Sequence, residues 1–194
     1  MMHFEGDLRK PKLIGVTGCR EGAGVTTIAC GLAAALSEAA EGRVLLINMD
    51  PQSQSMHPFL LGRAACSVVD VVDAGKRETA LIGNNLYVAS NTNMGGDANG
   101  AAVLQPTNIS RLLPKIKMSD YDYVVFDMPV VSPTSISGKL AGMVDLVFMV
   151  AESEKDSQKG LKRACQILAE SNANYRVVLN KFQRYIPRWL DQET

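Results

Sequence analysis

The chain lacks an excess of either charge, a long apolar run, paired cysteines and more than a trace of histidine, and each shortage removes a class of function. Lys plus Arg number 20 and Asp plus Glu 20 in 194 residues, so the formal charge is zero. Nucleic-acid binders usually carry a net basic footprint, and no nucleic-acid partner is expected here, a local patch aside. The longest apolar runs, such as residues 146–151 (LVFMVA), fall far short of the ~20 residues that cross a bilayer. The N-terminal stretch MMHFEGDLRK has no apolar centre and does not read as a signal peptide. The four cysteines, Cys19, Cys30, Cys66 and Cys165, show no C-x-x-C spacing, and the two histidines are His3 and His57. A Cys/His zinc site is therefore not expected. The thiols read as free, in a reducing, cytoplasmic setting.

What is present is ordinary globular material, 46% hydrophobic and 21% charged. The length suits one domain spanning 1–194, which would bury roughly 70% of the surface of its unfolded form. Strand and helix patterns alternate along it. Residues 12–17 (KLIGVT), 44–49 (VLLINM), 85–90 (NLYVAS), 123–128 (YVVFDM), 146–151 and 176–181 (RVVLNK) read as strands, most of them continuous apolar runs. Residues 25–40 form a helix with Ile28, Leu32 and Leu36 along one stripe. Ile109, Leu112, Leu113 and Ile116 mark a second helix, and Leu161, Cys165, Leu168 and Ala169 a third within 156–171. Residues 53–82 are ambiguous between strand propensity and short helices, and are read as helical. The segment 91–100 (NTNMGGDANG) reads as a loop. Continuous apolar strands alternating with amphipathic helices predict an α/β fold, a mostly parallel central sheet with helices on both faces. Its ligand crevice lies at the carboxyl ends of the strands.

Residues at those ends carry the chemistry. Between the first strand and helix lies GCREGAGVTT (18–27), a turn whose backbone amides can converge on an anion ahead of a helix N-terminus. The P-loop pattern G-x-x-x-x-G-K-[ST] places a lysine on the β- and γ-phosphates and a hydroxyl on Mg²⁺. With Gly24 as its second glycine, Thr26 takes the hydroxyl position and Thr27 follows. Val25 stands at the lysine position and Cys19 at the first glycine. The backbone cradle survives that replacement, whereas phosphoryl transfer, which depends on electrostatics, is severely weakened. Taken alone, the turn is equally a plain structural turn. Arg20 is the nearest substitute cation or else a solvated loop arginine. Asp50 and Asp127 each end an apolar run, where a buried carboxylate needs a partner. Mg²⁺ beside a triphosphate would supply one, although each also sits in a good turn sequence. Asn180 ends the last run, either to bond an adenine edge or to form a turn. Cys19 reads as a loop thiol without evident function, and His57 as a surface or packing residue.

The ordered set of segments resembles the cytoplasmic catalytic domain of bacterial tyrosine kinases (BY-kinases) of capsule and exopolysaccharide synthesis. These belong to the deviant-Walker P-loop ATPases that include the MinD and ParA families. The likeness spans residues 13–182: the Walker A region at 22–27, LLINMD (45–50) as Walker A′, SVVDVVDAG (67–75), NLYVAS, YDYVVFDMP, VDLVFMVAES and VVLNKF. It implies a P-loop NTPase-like three-layer sandwich. Arg20, Gly22, Ala23, Gly24, Val25, Thr26, Thr27 and Asn180 would bind ATP or ADP, with Asn180 on the base. Thr26, Asp50 and Asp127 would hold Mg²⁺, and Asp50 and Asp127 would be the catalytic acids of an active form. Val25 departs from the family at the Walker A lysine, and Asn48 at the first Walker A′ aspartate. The tail from Tyr175 to the end contains only Tyr175 and Tyr185, so a tyrosine cluster is missing, and no arginine-rich assembly motif precedes the first strand.

The expectation that follows is a degenerate, regulatory nucleotide-binding domain of polysaccharide export with weak or no phosphotransfer. Its implied partner is a membrane-embedded polysaccharide co-polymerase or its cytoplasmic tail, at the inner face of the membrane, alongside homo-oligomers. The alternatives are an active tyrosine autokinase, with Arg20 in the position of the MinD/ParA signature lysine, and a ParA/MinD-type positioning ATPase.

Overall fold

Five apolar runs, at residues 12–18, 44–48, 86–90, 123–127 and 146–152, form strands largely buried on both faces, which suits β-branched and aromatic side chains, whereas the two outermost strands, Cys66–Ser67 and Tyr175–Asn180, are only partly covered. In the computed structural model, residues 11–39, 42–49, 57–60, 66–72, 77–90 and 106–182 are described, the helical stretch 106–110 by its backbone alone. The elements in chain order are β1 (Lys12–Gly18), α1 (Val25–Ala39), β2 (Val44–Asn48), β3 (Cys66–Ser67), α2 (Val68–Val72), a 3₁₀ turn (Arg77–Ala80), β4 (Leu86–Ser90), α3 (Pro106–Lys117), β5 (Tyr123–Asp127), α4 (Ile136–Ala141), β6 (Leu146–Glu152), α5 (Gln158–Glu170) and β7 (Tyr175–Asn180).

The sheet order is β3-β4-β2-β5-β1-β6-β7, and every strand pair is parallel. This is a P-loop NTPase-like α/β fold. Two apolar cores lie on opposite faces of the sheet. One packs Tyr121, Phe126, Met149 and Leu168 beneath α2 to α5; the other packs Val16, Leu46, Val88 and Val125 beneath α1. β1 runs through the middle between β5 and β6, so the chain turns to both sides of it. The carboxyl end of β1 is therefore the switch point at which such sheets place ligands.

Several elements depart from the sequence expectation. Helix α1 approaches the sheet through the small residues Ala29, Cys30 and Ala33, with Ile28, Leu32 and Leu36 flanking them half-buried. On α5 the buried residues are Ala164 and Leu168, while Ala169 faces outward. The stretch 53–82 is not uniformly helical: Cys66 and Ser67 extend the sheet by pairing with Ala89 and Ser90, and Arg77–Ala80 is a 3₁₀ turn. Helix α4 was not anticipated. It is only six residues long and its ISGKLA sequence includes glycine, so it carries no clear period. The 91–100 loop lies outside the described residues.

Helices α4 and α5 meet where Gly142 caps α4 against the carbonyl of Ser171, which caps α5; a Cβ at Gly142 would overlap that oxygen. Gly142→Ala should lower the unfolding free energy by about 1–3 kcal/mol, the cost of overpacking. Denaturant melts check this, and an unchanged midpoint would contradict the packing.

Candidate functional site

The loop of residues 19–24 leaves β1 and enters α1 through two left-handed glycines, Gly22 at φ +76° and Gly24 at φ +95°. At Gly22 a Cβ would meet nothing, so the backbone angle alone favours glycine there. At Gly24 a Cβ would also collide with Asn180 Nδ2. That amide donates to the Ala23 carbonyl at 2.9 Å, and Lys181 Nζ donates to the Gly22 carbonyl at 2.6 Å. In a trans peptide, C=O and the next N–H point in opposite directions. Two consecutive carbonyls are thus turned outward onto β7, and the Ala23 and Gly24 amides face the other side. Successive amides on one side of a turn make an anion nest. The first turn of α1 follows directly and contains no acidic residue, so its dipole adds to the same field.

Val25 does not project from this nest. Its Cγ2 lies 2.9 Å from where a Cβ on Gly18 would sit, and the side chain packs against the core beneath α1. Thr26 is half-buried and Thr27 exposed. Arg20 is not a free loop cation: its Nε donates to Asp156 Oδ1 at 3.2 Å, and its terminal nitrogen pairs with Glu152. Glu152, 4% exposed, also accepts from Lys155 at 2.8 Å and lies 3.4 Å from Lys181 Nζ. The bond from Lys155, with the Lys181 and Arg20 charges behind it, holds the Glu152 carboxyl below the usual glutamate range. Burial and the neighbouring Asp156 push the Cys19 thiol up to about 11, so it stays protonated and unreactive.

Asp127 ends β5 and is 1% exposed, in register with Val16 on β1 and Asn48 on β2. Its charge reaches Cys30 on α1, whose thiol is raised to about 12, chiefly by burial. Asp127 therefore lies beneath the helix that the nest introduces. Asp50 lies outside the described residues. His57, fully buried, is a packing residue with a partner the sequence did not reveal: its Nε2 lies 3.6 Å from Cys30 Sγ. Of the predicted residues, the fold gathers Arg20, Gly22, Ala23, Gly24, Val25, Thr26, Thr27 and Asn180 at one strand edge. Sequence reasoning missed Glu152, Asp156 and Lys181. The rule that singled out Asp127, a charge closing an apolar strand, applies equally to Glu152 in LVFMVAE and would have found it.

A family model described as an AAA domain matches residues 11–181. The chain belongs to that family. Among solved structures, the AAA domain is similar to a ParA family ATPase from Chlorobium tepidum at 19% identity, covering 93% of this chain and 78% of that one, with a TM-score of 0.63. The kinase domain of the Escherichia coli tyrosine kinase ETK is 18% identical over 94% of this chain and 72% of its own, with a TM-score of 0.68. The Aquifex aeolicus MinC:MinD cell division complex gives 23%, 89%, 69% and 0.67 for the same quantities. At these identities the likeness is one of fold. No curated protein matches the sequence.

Burial lowers the pKa of His57 below its ordinary 6.5, so the folded AAA domain favours the neutral ring. The stabilisation is complete above pH ~6.5 and is lost as pH falls below it, at up to about 1.4 kcal/mol per pH unit. Denaturant melts between pH 7 and 5 should show this slope, and His57→Gln should flatten it. An unchanged slope in that variant would show that His57 is not buried as described.

Proposed function

We propose that this AAA domain is a degenerate, kinase-like nucleotide-binding domain that acts by interaction in capsular or exopolysaccharide export, with weak or no phosphotransfer. The observation that carries the reading is the loop at the end of β1: its Gly22 and Ala23 carbonyls are bonded away on β7 and its following amides are turned to the opposite side, with no lysine at Val25. Such a loop suits the phosphates of ATP or ADP through the amides of Ala23 and Gly24 and the start of α1. Thr26, Asp127 and, from its place in the sequence, Asp50 would hold Mg²⁺, which supplies neutralisation of phosphate charge. Asn180 has spent one amide hydrogen on Ala23, which leaves its Oδ1 to accept from an adenine amino group.

Binding and turnover separate here for an electrostatic reason. Backbone amides neutralise a ground-state phosphate, whereas transfer of a phosphoryl group needs charge placed on the developing transition state. Val25 places none. An active autokinase that uses Arg20 instead would require that guanidinium to leave both Glu152 and Asp156. The ParA and MinD folds among the relatives keep a positioning ATPase as the alternative. No helix among the described residues is long and apolar enough to cross a membrane. From the kinase resemblance, a membrane co-polymerase or its cytoplasmic tail is proposed as the partner, and homo-oligomers as the assembly state.

Calorimetric titration with MgADP tests the reading. Val25→Lys should tighten binding by about 1–3 kcal/mol, the range for hydrogen bonds to charged groups. Equal affinity in the two proteins would show that the loop does not hold phosphate in this way. Incubation of the wild-type chain with MgATP should give no anti-phosphotyrosine signal, and a clear signal would overturn the assignment of weak transfer.

A further inference from the structure

In a P-loop the lysine following the second glycine reaches the phosphates from the helix side. Here the helix side offers Val25, and the contacts that shape the loop come from the opposite side, at the ends of β6 and β7. Lys181 Nζ bonds the Gly22 carbonyl and lies 3.4 Å from Glu152 Oε2. Arg20, itself in the loop, pairs with the same Oε2. Glu152 therefore stands between a cation of the loop and a cation of the strand beside it. The Glu152 side chain is 4% exposed because Arg20, Lys155 and Lys181 cover it, and these cations themselves reach solvent.

We propose that Glu152 is a positioning residue of the phosphate loop: by holding Arg20 and Lys181 it keeps the Gly22 carbonyl turned outward, which aims the Ala23 amide at the anion. The ligand in this statement rests on the nucleotide reading above, while the mechanics of the loop do not. The position of Glu152 is itself fixed. Its N–H donates to Asp156 Oδ2 at 2.6 Å, and Asp156 is the second acceptor for Arg20. Across the sheet Glu152 is in register with Asn180, and the Ser153 amide donates to the Asn180 carbonyl at 2.9 Å. Glu152, Asn180 and Lys181 thus form one braced edge against which the loop is set.

Lys181 shows the strength of that demand. It sits at φ +55° although it carries a Cβ, a conformation that persists where the surroundings over-determine it. Its Nζ reaches both Gly22 and Glu152 from there. Asn180 alone would fix the Ala23 carbonyl and leave Gly22, the outermost glycine, free to rotate between its many allowed angles. The pair of anchors from β7 orders both peptides, and Glu152 keeps the second anchor in place.

Backbone ¹⁵N relaxation on the full, ligand-free chain tests this directly. The Ala23 and Gly24 amides of the wild type should have order parameters near ~0.85, and those of Glu152→Gln and Lys181→Met should fall below about 0.6. Lys181→Arg, which keeps the charge and a donor, should restore them. MgADP affinity should weaken roughly threefold to tenfold in Lys181→Met and recover in Lys181→Arg, the scale of one hydrogen bond. Lys181 is exposed enough, 47%, that its substitution leaves the fold intact even where Glu152→Gln does not. Unchanged order parameters in Lys181→Met overturn the proposal, and they leave the nucleotide reading standing if the wild type binds MgADP. If the loop loosens as stated but the wild type does not bind MgADP, the positioning role holds and the nucleotide reading falls.

Discussion

Lys181 and Asn180, at the end of the last strand, hold the carbonyls of Gly22 and Ala23 at 2.6 and 2.9 Å, and the planarity of the peptide converts those two bonds into a direction for the amides beyond them. The remaining features of the site take their meaning from that constraint. Gly24 has to be glycine both because its φ is +95° and because a side chain would displace Asn180. Glu152 is covered by three cations, Lys155, Arg20 and Lys181, which compensate its charge, and two of them, Arg20 and Lys181, tie it to the loop. The sheet contributes by pairing β6 with β7 in register up to Glu152 and Asn180, which brings residues far apart in sequence to within one hydrogen bond of the loop.

Valine at position 25 has a packing side as well as an electrostatic one. A lysine at 25 would carry its ammonium out of the helix start, whereas Val25 folds back over Gly18 and joins the core beneath α1. The described cations nearest the loop, Arg20 and Lys181, are each engaged with the chain's own oxygens before any ligand arrives. An arrangement of this kind spends its positive charge on order rather than on a transition state. In the proposed reading, that is the physical difference between a domain that binds a nucleotide and one that turns it over.

Much of this architecture was legible in the sequence, because parallel strands buried on both faces must be apolar throughout. VLLIN, YVVFD and LVFMVAE announced themselves that way, and the glycine turn announced the strand end where a ligand would sit. What escaped depended on contacts between distant residues. The two residues of β3 are too few for any period, and α4 is too short and too small in its side chains. The buried stripe of α1 is made of alanines and Cys30, which a search for large apolar residues passes over. Arg20 could be read as a solvated arginine because Glu152 and Asp156, more than 130 positions away, give no local sign of meeting it. Lys181 looked like an ordinary charge after a strand; only the fold brings it to Gly22.

The amides of residues 23–25 are the proposed anion-binding surface of this chain. Amide ¹H–¹⁵N spectra recorded during addition of MgADP test it most directly. The account predicts saturable shifts largest at Ala23, Gly24 and Val25, with Asn180 and Lys181 following. Shifts centred elsewhere on the sheet, or none at saturating nucleotide, would contradict it.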